Sequence, residues 1–363
     1  MPQESRKNNF NMVRLIGALL VMVGHMGPIM GATTPVMGQE LHGIGVEILF
    51  LIGGFLVSES WIHDPNPLRY GIKRFLRLWP PYAVMVLLMT FLTGPLLSNL
   101  GISGYFNSGW WTEFLKNLRF FIVYAQPGVF TDAPIPYVTN GSLWTMPVEA
   151  ALYILTPLIC WIFGIRKKNQ KSFIFYSVFT VVLIIVATWL DVHSEIQWIF
   201  YGTIWASALR LGTFFFIGIL CAMEPIRKLF KMQWTPFALL AVLLLQYESR
   251  PVQFVVLILA LPYLVFSLAL APNPIFYKVG RKYDLSYGIY LYGFFFQQLT
   301  MQWQRTTGVT LGVYGSFSVS LCMTLAAAFL SSMLVENKAQ QLCKRIITKL
   351  KASDKETEVR NQA

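Results

Sequence analysis

The chain has 363 residues, of which 55% are hydrophobic, 15% aromatic and only 13% charged, about half the charged share of a globular protein. This excludes a string of soluble domains. The formal charge of +12 points to nucleic acid only if the basic residues do not follow a membrane pattern.

A helix that crosses a bilayer needs about 20 mostly apolar residues. Ten segments are read as spans on that rule: 11–30, 43–62, 78–97, 142–164, 172–190, 198–223, 234–247, 252–271, 285–304 and 309–335, the seventh being short. An even number puts both termini on one side, and 23 of the 29 Lys and Arg residues then share that side. They are Arg6 and Lys7; Arg69, Lys73, Arg74 and Arg77; Arg166, Lys167, Lys168 and Lys171; Arg227, Lys228 and Lys231; Lys278, Arg281 and Lys282; and seven in the tail from Lys338 to Arg360. The opposite side holds Lys116, Arg119, Arg250 and Arg305. Basic residues collect on the cytoplasmic side, so the expected fold class is an all-α polytopic membrane protein of about ten transmembrane helices, both termini cytoplasmic. The partner is then the bilayer of a cell inner or plasma membrane and not nucleic acid. Residues 1–335 form the transmembrane domain and 336–363 a cytoplasmic basic tail.

The first span carries Arg14 and no cleavage site follows it, which predicts an anchor and not a removed signal. Residues 98–141, with Trp110, Trp111, Phe114 and Leu118, predict an amphipathic interfacial helix and then a loop through Pro127, Pro134 and Pro136. The stretch 337–351 predicts a basic amphipathic helix on the anionic inner leaflet. Cys160, Cys221, Cys322 and Cys343 lack CxxC spacing, so neither a disulfide framework nor a metal site is expected.

Ionisable residues inside spans are costly and mark function. Here they are Arg14, His25, Glu47, Glu149, Arg210 and, near an inner end, Glu59. Arg14 and His25 are eleven positions apart, which on a helix is three turns plus 20°: one face, about 16 Å apart. Arg14, Glu47 and Arg210 fit structural ion pairs as well as functional roles. His25 suits a proton acceptor at neutral pH, whereas His42, His63 and His193 fall at span ends. Arg74 and Arg77, three apart, are neighbours on one helix face. They can grip a phosphate by paired hydrogen bonds or serve as a basic anchor.

Five stretches together resemble membrane acyltransferase family 3. They are Arg14 followed after ten residues by His25; the run from Gly45 through Glu47 to Leu56; Arg74-Phe75-Leu76-Arg77-Leu78-Trp79-Pro80; Ser142-Leu143-Trp144-Thr145-Met146-Pro147-Val148-Glu149; and Asp284-Leu285-Ser286-Tyr287-Gly288-Ile289-Tyr290-Leu291-Tyr292. Ala150 stands where the family often has a second Glu, and Gly53 where Ser is frequent. The resemblance implies an integral membrane O-acyltransferase. It would move an acyl group, usually acetyl, from cytoplasmic acyl-CoA to a hydroxyl of an extracytoplasmic carbohydrate, free or lipid-linked, such as O-antigen of lipopolysaccharide or exopolysaccharide.

In that reading His25 is the general base and Glu149 or Glu47 orients it. Arg74 and Arg77, with Arg14, hold the CoA phosphates, and no metal is needed. Trp144, Ser142 and Tyr290 lie in the matched motifs as supporting residues. Ser142 also fits the N-cap of the fourth span. Tyr153 and Tyr287 read as packing or interface aromatics. His25 or Ser142 carrying the acyl group covalently is the alternative within the same activity. From another class, a transporter or flippase of a lipid-linked sugar suits the same buried charges, although no inverted repeat is visible.

Overall fold

The computed structural model describes residues 8–167, 169–193 and 198–362; the inner basic residues Arg6, Lys7 and Lys168 lie outside them. Each expected span is met by a helix: α1 Phe10–Gly24, extended by a short helix Met26–Met30; α2 Leu41–His63; α3 Pro67–Leu88, prolonged through a π turn to Leu97; α4 Thr145–Ile162; α5 Gln170–Val192; α6 Trp205–Ala222; α7 Thr235–Leu245; α8 Arg250–Ala269; α9 Ser286–Thr307; and α10 Gly312–Ser331. Eight helices among the described residues are long and apolar enough to cross a membrane. Of the others, α7 has 11 residues, and α9 carries the polar run Gln297, Gln298, Gln302 and Gln304. The chain is an all-α, multi-pass membrane protein, and the strands among the described residues form two short hairpins.

Without a hydrophobic driving force between helices in lipid, small residues decide where backbones meet. The bundle centre is α2, which packs along α1 and α6. A Cβ on Gly54 would lie 1.9 Å from the Phe215 carbonyl oxygen of α6, and one on Gly218 2.1 Å from that of Leu51. Across the other interface, a Cβ on Gly45 would lie 2.5 Å from the Gly17 oxygen. Backbone cannot yield as a side chain does, so Gly218→Val is expected to separate α6 from α2. Size-exclusion chromatography of detergent extracts should show loss of the folded peak, while Gly71→Ala, at an open position, should keep it.

Three local expectations change. The third helix starts eleven residues before 78, because Asn66 accepts the Arg69 N–H at 2.9 Å and Pro67 occupies the first turn, a strong start signal. Arg74 and Arg77 therefore sit two to three turns inside α3. The sixth helix begins at Trp205, since Ile199–Phe200 pairs with Thr203–Ile204 around Tyr201 and Gly202, both at positive φ, a tight hairpin. In place of one amphipathic helix after α3 there are short pieces, Gly101–Asn107, Trp111–Phe114 and Leu115–Arg119, interrupted at Gly109 (φ 70°) and ended at Phe120 (φ 60°). The Trp79 indole holds them to α3 by donating to the Leu118 carbonyl at 3.1 Å.

The tail is helical, Asn337–Gln362 (α11), and continues from α10 through a π turn, Ser332–Glu336. It docks on α3, where Arg69 is ion-paired to Asp354 and Lys351 lies 3.9 Å from Asp64. Hydrogen bonds from Arg69 and Lys73 pull the Asp64 carboxyl down to about 2.

Candidate active site

An internal cavity of about 130 Å³ lies between α1, α2, α3, α4, α6 and α9. Three guanidinium groups line it: Arg14 from α1, and Arg74 and Arg77 from α3. Glu149, Tyr153, Tyr287 and Tyr290 complete the polar wall, and Val46, Phe50, Gly53, Leu56 and Phe215 the apolar one.

Asp284, just ahead of α9, holds two of the arginines. Its Oδ2 is 2.9 Å from Arg14 and 3.0 Å from Arg77. Burial raises the Asp284 pKa, but Arg14 and Arg77 outweigh it and keep the carboxyl below its ordinary value. Arg77 also lies 3.7 Å from Glu336, a residue 3% exposed. Arg74 differs from both. Among the described residues it has no carboxylate partner: it donates weakly to Ser60 Oγ at 3.4 Å, lies 5.7 Å from the ring centres of Tyr70 and Tyr153, and its buried Nε has no acceptor.

The shared face of Arg14 and His25 is present, since both look toward α9: Arg14 meets Asp284, and the His25 ring stands edge-on to Phe294 at 5.1 Å. His25 does not line the cavity. It ends α1, stacks on His42 at 4.9 Å, and its buried Nδ1 has no hydrogen-bond partner.

The orienting carboxylate expected for His25 is therefore not supplied. Glu47, 1% exposed, receives Arg210 Nε at 2.7 Å and Gln39 Nε2 at 3.1 Å. Arg210 in turn reaches Asp191 at 2.8 Å and lies over the Phe254 ring at 4.4 Å. This is a structural pair, away from the cavity. Glu149 lines the cavity and accepts a hydrogen bond from the Tyr153 hydroxyl. Glu47→Gln, which keeps the shape but turns one of the two accepting oxygens into a donor, is expected to lower thermal stability and leave transfer rates near the parent's. Glu149→Gln should do the reverse, and paired melting and rate measurements separate the two.

Two other sequence readings change. Asn140 caps the turn Gly141–Trp144, its side chain accepting Ser142 N–H at 3.0 Å, so Ser142 is not the cap. Ser142 Oγ is buried and unpartnered, and a nucleophile without a base in reach is not activated. Tyr153 and Tyr287, read as packing aromatics, face the cavity; Tyr287 donates to the Leu78 carbonyl at 2.9 Å. Tyr290 is hydrogen-bonded to Thr145 and donates to the Ser142 carbonyl at 3.2 Å. Trp144 does not line the cavity; its carbonyl accepts Thr203 Oγ1 at 2.8 Å. Gln297 donates to Met22 O at 2.9 Å and Gln298 to Ile135 O at 2.6 Å, tying α9 to α1 and to the loop before α4.

The fold and cavity define an integral membrane protein whose polar chemistry is held inside a helix bundle. The family model described as an acyltransferase domain matches residues 7–336. The chain belongs to membrane acyltransferase family 3 and is a membrane O-acyltransferase. It is 27% identical over 336 residues to an O-acetyl transferase of Shigella phage Sf6, covering 92% of this chain and 96% of that one. It is also 27% identical over 375 residues to nodulation protein 10 of Rhizobium leguminosarum bv. viciae, covering 93% and 94%. No solved structure matches the chain.

Proposed function

We propose that the protein moves an acetyl group from acetyl-CoA, bound from the cytoplasmic side, to a carbohydrate hydroxyl on the far side of an inner or plasma membrane. The observation that carries this reading is Arg74: a guanidinium without a carboxylate partner, in a cavity it shares with Arg14 and Arg77. Arg74 is half-buried and its buried Nε lacks an acceptor, and the phosphates of CoA complete it by charge-assisted hydrogen bonds. The basic residues of the inner loops support a cytoplasmic position for that end of the bundle.

Tyr153 and Glu149 then stand beside the donor arm. The acceptor oxygen attacks the thioester carbon, the C–S bond breaks, and the hydroxyl proton passes to the His25 imidazole. The leaving CoA sulfur takes up a proton as thiol, so the protein supplies position and proton removal. An acceptor such as O-antigen or exopolysaccharide, free or lipid-linked, meets the requirement for a hydroxyl-rich substrate. Purified protein given labelled acetyl-CoA and cell-envelope glycans should form an alkali-labile labelled ester. No label with any acyl-CoA, together with sugar or proton flux in vesicles, would instead make it a transporter.

A further inference from the structure

On α1 the cavity residue Arg14 and His25 are three turns apart, but on three neighbouring segments the cavity lining stops one helical turn short of the level of His25. The cavity lining reaches Val46 on α2, Thr145 on α4 and Tyr290 on α9. The next turn on the same helices brings His42, Gly141 and Phe294, level with His25 at the end of α1. Four residues along a helix is about 6 Å. Phe294, 4% exposed, fills that layer. Its ring meets His25 edge-on and occupies the notch left by Gly141, where a Cβ would be 2.5 Å from Phe294 Cε2.

Around this ring three buried polar atoms lack a partner: His25 Nδ1, Ser142 Oγ and Gln297 Oε1. Ser142 adjoins Gly141 in the chain. Gln297 is one turn beyond Phe294 and is anchored to Met22 O, three residues before His25. Buried polar atoms are nearly always hydrogen-bonded, so three orphans close to one apolar side chain are left for partners of the kind a hydroxyl-rich molecule supplies.

We propose that Phe294 is the gate between the donor cavity and His25. The ring stands one turn beyond Tyr290, the last α9 residue of the cavity lining, and against His25; there it separates the cavity from His25, limits the acyl group to a short chain and keeps far-side hydroxyls from the thioester. When the ring turns aside, the two spaces join. Ser142 Oγ and Gln297 Oε1 then hold a polyhydroxylated acceptor while His25 takes the proton of the reacting hydroxyl. The gate rests on the donor-site reading for its role in catalysis, but its position is testable without turnover.

In protein with the four native cysteines replaced by serine, Thr145→Cys places a thiol in the cavity wall. In sealed vesicles, an impermeant maleimide added on the face away from Arg74 should label it slowly with Phe294 present and readily in Phe294→Ala. Phe294→Leu, a smaller change, serves if the alanine variant does not keep its size-exclusion profile. The variant should also accept butyryl-CoA better, raising its kcat/KM relative to acetyl-CoA by about tenfold or more, the scale of one methylene in a tight pocket. Unchanged labelling in a folded variant overturns the gate, and opened labelling with an unchanged chain preference overturns its control of chain length. Absence of turnover by the parent with every acyl-CoA overturns the donor reading, and the labelling then decides the gate alone.

Discussion

Arg77→Ala is expected to destabilise the bundle by up to about 3 kcal/mol, the low end of the cost of breaking a buried ion pair by removing one partner, since Arg77 and Asp284 keep 23% and 14% of their side-chain surface exposed. The loss is large because Arg77 serves two carboxylates. Without it Asp284 keeps Arg14 and the two hydrogen bonds from Ser286, and Glu336, 3% exposed, loses the cation 3.7 Å away. Glu336 also sits in the π turn that joins α10 to the tail helix, so the damage should spread to the docking of α11 on α3. Thermal unfolding in detergent, followed by size-exclusion, reads the effect. Arg74→Ala should leave the melting temperature close to the parent's, since its removal strands no carboxylate. Equal destabilisation by the two substitutions would show that Arg74 is a structural cation as well.

His25→Ala is expected to lower kcat by roughly 10²–10⁴-fold, the usual worth of a positioned general base, with KM for acetyl-CoA nearly unchanged. The split follows from the geometry: His25 lies outside the cavity lining and touches His42 and Phe294 instead. Initial rates at varied acetyl-CoA check it. A raised donor KM with preserved kcat would place His25 in donor binding, and retained kcat would pass the base to Glu149, the carboxylate in the cavity wall.

The spans were legible because hydropathy is local, and the Arg14 and His25 face because both residues ride one helix. Arg74 and Arg77 were legible as a pair for the same reason. What joins them was not. Arg77 and Asp284 are 207 positions apart, and Arg210 and Glu47 163; no periodicity within one helix encodes which helices become neighbours. Glu47 reads from the sequence either as an orienting partner of His25, alongside Glu149, or as half of an ion pair, and Arg210 across the α2–α6 interface takes it. Asp284 has a signal, standing at the head of the Asp284 to Tyr292 motif, but its charge lies just outside a span, where an ionisable residue carries no desolvation cost to single it out. Glu336 was assigned to the tail, one residue past the expected end of the tenth span. Phe294 carries no charge and looks like any apolar residue of a membrane helix. Only its position between His25 and Gly141 distinguishes it.

The most direct test of the donor site is equilibrium binding of acetyl-CoA to detergent-solubilised protein by calorimetry, comparing the parent, Arg74→Ala and His25→Ala. Loss of one charge-assisted contact should weaken Kd for Arg74→Ala by about tenfold or more, while His25→Ala binds as the parent does. Equal affinity of the parent and Arg74→Ala, both folded, would contradict the assignment of the arginine cavity to the donor phosphates.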